Sequence, residues 1–124
     1  MKEYIKFYPA NSGKFKDINI VTVCTIQDGS NFGRGVSICA ANDEYDKDTG
    51  IFHARNYALR GVKCRANILI TDERAIRELL KTDCPFVFHS QVLDPFFELT
   101  WQERRFFFGK KNYLEKYISE GNKP

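Results

Sequence analysis

The sequence predicts an α+β domain: a small antiparallel sheet built on a central hairpin, packed by helices, with a C-terminal helical extension. Three observations carry this. Residues 17–27, DINIVTVCTIQ, are dense in β-branched side chains and apolar on both faces, as in a central strand covered on both sides. A glycine-bearing segment follows, and RGVSICAA reads as the returning strand. Beyond it, apolar residues recur at helical spacing at Ile51, Ala54, Ala58 and Val62. The 124 residues suit one domain, 1–124, in which 1–70 supply the sheet and first helix and 71–124 a mainly helical extension and oligomer interface. Hydrophobic residues at 43% and charged residues at 28% exclude disorder as the main description.

The elements follow in order. EYIKFY is a short strand stopped by Pro9 and the turn-rich NSG. DGSNFGRG, with three glycines in eight residues, reads as the hairpin turn. In NDEYDKDTG, acids gather before the helical pattern, where anionic side chains favour the positive end of a helix. Gly61 is the expected stop of that helix. CRANILI is a short strand. Thr71 caps a second helix, DERAIRELLKT, with Ala75, Ile76, Leu79 and Leu80 inward. Pro85 ends it, and PFVFHSQV reads as another strand. Thr100 and Glu103 form a capping box that starts a helix near Trp101. Gly109 breaks or bends that helix, and NYLEKYI continues it.

Composition excludes several chemistries. No stretch approaches the roughly 20 apolar residues of a membrane span, and MKEYIKFYPA lacks the apolar run of a signal peptide. A cytoplasmic protein with no membrane partner is therefore expected. Cys24, Cys39, Cys64 and Cys84 include no CxxC pair, so a zinc site is not expected, nor any metal or other cofactor. A nucleophilic pair of one of these thiols with His53 or His89 is outweighed by reduced core thiols and incidental histidines. Asp43, Asp46 and Asp48 before Gly50 lack the terminal Glu of a calcium loop, so they read as helix-start acids. GSNFGRG lacks the ending of a phosphate loop and leads into a strand. The chain is not expected to be an enzyme.

The surplus lies in rings and arginines. Eleven Phe, six Tyr and one Trp make the chain 15% aromatic. Phe32, placed in a turn beside Arg34, has no evident core reason. FHARNYALRGVKCR carries Phe52, Arg55, Asn56 and Arg60 on a basic segment without an acid. ERRFFFGKKNY adds Arg104 and Arg105, and its consecutive Phe106, Phe107 and Phe108 cover about 200° of a helix. That spread favours a subunit interface in a dimer or higher homo-oligomer over a second packing surface within the chain. Arginine forks for phosphate beside rings for a base are the minimum kit for a nucleotide. The net charge of +3 is small for a polyanion-coating protein.

The hairpin, FGRGVSICA, DEYDKDTG and the ARNYALR helix together resemble, over residues 17–65, small proteins of Gram-positive phages and prophages, most closely the Thoeris anti-defence sponge family. The resemblance implies a small αβ homo-oligomer in the host bacterial cytoplasm. Such a protein sequesters the cyclic ADP-ribose-type signal made by bacterial TIR immune proteins without destroying it, and binds cyclic oligonucleotide signals at a separate site. The resemblance assigns no numbered residue. Residue chemistry assigns adenine stacking to Phe32 or Phe52, and phosphate binding to Arg34, Arg55, Arg60, Arg104 or Arg105. It gives base-edge or ribose reading to Asn42 or Asn56. The alternatives are an RNA- or DNA-binding module, whose affinity falls steeply with salt, and a small nucleotide-processing enzyme.

Overall fold

A computed structural model of the chain describes residues 1–39, 44–64, 67–69, 77–86 and 98–109. Strands β1 (Lys2–Tyr8), β2 (Val21–Asp28) and β3 (Asn31–Ile38) precede helix α1 (Lys47–Cys64) and strand β4 (Asn67–Leu69). The sheet order is β1-β2-β3-β4. β1, β2 and β3 pair antiparallel, and β4 joins parallel to β3 after the α1 crossover. The α+β expectation therefore holds, with one parallel strand at the edge.

The hairpin turn is tighter than the glycine-rich string suggested. Asp28 pairs with Asn31, so the loop is Gly29 and Ser30 alone. Gly29 adopts φ 62°, the positive value that two-residue hairpin loops require. Phe32 and Arg34 consequently lie inside β3, which corrects their placement in a turn.

Alternation assigns the two faces of the sheet. Cys24, Ile26, Gly33 and Gly35 face α1, where Cys24 and Ile26 are buried with Ala54 and Ala58. Val21, Val23 and Val36 face the other way and are buried with Phe15, Leu79 and Cys84. β2 is thus covered on both sides, as its sequence predicts. Leu79 and Cys84 come from 77–86, and a helix over 101–109 lies on this same face through Glu103. The chain beyond residue 77 thereby completes the core.

α1 starts where its acids predict. The Asp46 carboxylate accepts hydrogen bonds from the Asp48 N–H at 3.1 Å and the Thr49 hydroxyl at 2.7 Å, capping the first turn. The helix does not stop at Gly61 but runs to Cys64. Gly33 and Gly35 explain why: a Cβ on Gly33 would stand 2.3 Å from the Gly61 carbonyl carbon and 2.1 Å from the Val62 nitrogen. A Cβ on Gly35 would stand 2.2 Å from the Ala54 carbonyl oxygen. Helix backbone rests directly on strand backbone, and Gly61 belongs to that seam.

The capping box of the 101–109 helix is present: Thr100 N–H donates to Glu103 Oε1 at 2.8 Å, and Glu103 N–H donates to Thr100 Oγ1 at 3.2 Å. Gly109, at φ 73°, leaves the helical region as expected. The Thr71 cap, most of the PFVFHSQV strand and the NYLEKYI helix lie outside the described residues, although 77–79 are helical as the DERAIRELLKT pattern predicts. Among the described residues no helix is long and apolar enough to cross a membrane.

Candidate ligand-binding site

Arg34 is not a ligand arginine. It is 1% exposed and forms an ion pair with Glu103, itself 2% exposed. Arg34 Nε donates to Glu103 Oε2 at 2.8 Å, and a terminal nitrogen donates to the Glu98 carbonyl at 2.9 Å. Its guanidinium lies 4.2 Å from the centre of the Phe86 ring. The Thr25 hydroxyl also donates to Glu103. Burial pushes the Glu103 carboxyl up, but the Arg34 hydrogen bond and charge, Thr25 and the Thr100 N–H outweigh it and hold the group below its ordinary value. A charge pair this deep persists only when both partners are hydrogen-bonded, as they are here. Its task is structural, and the phosphate role expected of Arg34 is withdrawn.

Phe32 has a core reason after all. Its ring meets Phe107 edge-on at 5.2 Å and Phe108 at 6.0 Å. Phe106 lies 5.0 Å from Tyr4 on β1 and remains 45% exposed. The three consecutive Phe therefore find ring contacts within the chain, on Tyr4 and Phe32, and the stacking role given to Phe32 falls with its turn placement.

Arg55 is held by β1. Its Nε and a terminal nitrogen donate to the two Glu3 carboxylate oxygens at 2.6 and 2.7 Å. That bidentate hydrogen bond and the guanidinium charge outweigh partial burial and lower the Glu3 carboxyl from its ordinary value. Arg104 is half-buried and Arg105 exposed, both on the 101–109 helix across the sheet from α1. They do not converge with the α1 residues within one chain. Asn42 lies outside the described residues.

What remains together is one ridge of α1. Phe52, Asn56 and Arg60 stand four residues apart on its solvent side, each exposed. Phe52 is 58% exposed, and its ring meets the His53 ring at 5.5 Å. His53 in turn stacks on Tyr57 at 6.3 Å. Arg60 forms no ion pair with a described residue. The ridge thus offers a ring, an amide and a guanidinium in a line about 12 Å long at 1.5 Å per residue.

A second feature escaped sequence reasoning. A cavity of about 340 Å³ opens beside the first turns of α1. Its floor is Thr22 and Ser37, cross-strand partners on the α1 face of the sheet. Glu44, Tyr45, Asp46 and His53 border it. Asp46 stays ionised because the Thr49 hydroxyl and the Asp48 N–H lower its carboxyl from the ordinary value. Thr22 is 3% exposed, and its hydroxyl has no hydrogen-bond partner among the described residues. Such a group costs about 1–3 kcal/mol unless something in the cavity satisfies it. The sequence signal was present only as two hydroxyls inside apolar strands.

The thiols behave as core groups. Burial pushes Cys24 up to about 12 and Cys84 up to about 11. Both are therefore neutral and poorly nucleophilic near pH 7. Comparison of the chain with family models, with curated proteins and with solved structures gives no match. Function therefore rests on the chemistry of the ridge and the cavity.

Proposed function

We propose that this protein binds a small nucleotide of the cyclic ADP-ribose type and holds it without turnover. The observation that carries the reading is the α1 ridge of Phe52, Asn56 and Arg60. A base stacks on the exposed Phe52 ring, a contribution of about 1–3 kcal/mol. The Arg60 fork takes phosphate oxygens bidentately. Asn56 lies between them, able to donate and accept at a base edge or sugar hydroxyl. The resemblance over residues 17–65 supports the same ligand class. The protonated Cys24 and Cys84 thiols support binding over covalent chemistry at those groups.

The reading also includes self-association. Trp101 and Phe106, each 45% exposed, leave apolar area uncovered on the 101–109 helix. Residues of this type are enriched where subunits meet.

Isothermal titration with cyclic ADP-ribose isomers tests the proposal. The expected result is a micromolar or tighter Kd, weakened by about tenfold or more in Phe52→Ala and in Arg60→Ala. The ligand should be recovered intact after the protein is heat-denatured. No heat with any isomer overturns the reading. Binding of RNA or DNA that collapses between low and moderate salt replaces it with a polyanion-binding module.

A further inference from the structure

From the cavity beside α1, we infer a pentose subsite that takes the vicinal diol of a ribose. Four observations meet there. The buried Thr22 hydroxyl lines the cavity without a hydrogen-bond partner among the described residues, and an unsatisfied buried group in a native fold calls for a specific explanation. Ser37 stands directly across from it in the β2–β3 register, on the same face, so the floor presents two adjacent hydroxyls. Asp46 is held ionised at the rim, and after accepting from the Asp48 N–H and from the Thr49 hydroxyl and N–H its carboxylate keeps room for one further donor. No Lys or Arg is among the described lining residues, so the cavity attracts neutral hydroxyl donors and repels phosphate.

A vicinal diol matches this set. One of its O–H groups donates to the Asp46 carboxylate while its oxygens accept from Thr22 and Ser37. The volume lies at the lower end of small-ligand pockets, suited to a sugar ring. The half-buried Tyr45 supplies an apolar wall. His53 joins the cavity rim to Phe52. The subsite therefore extends the nucleotide reading, and rests on it only for the natural ligand. Gly50 guards the floor, because a Cβ there would meet Thr22 Oγ1 at 2.9 Å.

The test uses the full chain and methyl β-D-ribofuranoside, with its 2-deoxy counterpart as control. Amide NMR shifts should appear at Thr22, Ser37, Thr49 and His53 with the riboside. The 2-deoxy sugar should bind about tenfold more weakly. Thr22→Val, which keeps shape and removes the hydroxyl, should cost a similar factor. Gly50→Ala suits a helix and narrows the floor, so it should abolish the response. Equal binding of both sugars, an unchanged response in both variants, or no shift at millimolar sugar overturns the subsite. A riboside response without binding of any cyclic nucleotide supports the subsite while removing the nucleotide reading. Cyclic nucleotide binding indifferent to Thr22→Val and Gly50→Ala overturns the subsite alone.

Discussion

The two faces of the sheet hold their helices by opposite means. Under α1, glycine and alanine let backbone touch backbone, and the seam contains Gly33, Gly35, Ala54 and Ala58 with nothing charged between them. Under the 101–109 helix, a buried guanidinium and carboxylate meet, with the Phe86 ring against the guanidinium and a Phe32–Phe107 ring pair joining strand to helix. The first attachment depends on shape and the second on charge complementarity. Shape at that distance tolerates no added atom. A buried charge tolerates no missing partner.

The largest effect should come from separating the charges. Glu103→Ala takes the carboxylate partner from the buried Arg34 guanidinium, and also removes half of the capping box. Urea denaturation should show a loss of about 3–5 kcal/mol. The double variant Arg34→Met, Glu103→Leu should recover most of that loss, and a double variant as unstable as the single would contradict the electrostatic account. Next comes the other face. Gly35→Ala should cost toward the upper end of about 1–3 kcal/mol, because the atoms in the way are helix backbone. A loss below a few tenths would show that α1 can lift off its seam cheaply.

Titration with pH addresses both faces at once. Glu103 is held below its ordinary value in the fold, so its contribution is full above the unfolded-state value of about 4.3. It is lost as pH falls through the lower folded value. Cys24 and Cys84 act in the other direction. Their raised values of about 12 and about 11 give stability that is present below the unfolded value of about 8.5 and lost as pH rises toward the folded ones. Cys24→Ala should flatten part of that alkaline decline in a stability-against-pH series. The smallest effect belongs to the surface. Arg55→Ala breaks the exposed Glu3 pair and should change stability least of these variants, and added salt should shrink the difference further.

Local chemistry was legible in the sequence, and partnership across the sheet was not. The doubly covered central strand, the acidic helix start and the Thr100–Glu103 box are short-range patterns, and each appears where the residues predict it. Gly33, Gly35 and Gly61 misled because a glycine permits both a turn and a close approach, and only the packed helix distinguishes them. Arg34 looked like a ligand group because its partner lies 69 residues away. Of the expected site, Phe52, Asn56 and Arg60 share one ridge because helical spacing alone aligns them. The cavity was invisible because its floor and rim come from β2, β3 and α1 together.

Glu103 has one further consequence, in time. Its carboxylate is shared between the start of its own helix and the centre of a sheet formed by residues much earlier in the chain. During synthesis, β1, β2, β3 and α1 emerge before it does. Until it arrives, the Arg34 guanidinium lacks its carboxylate and the part of that face under the 101–109 helix stays uncovered. The final closure is then a long-range event, entropically slow, in which one side chain both nucleates a helix and docks it. Fraying of that helix and exposure of the sheet's interior are therefore a single motion. Amide protons of β2, β3 and residues 103–107 should exchange with one shared opening rate.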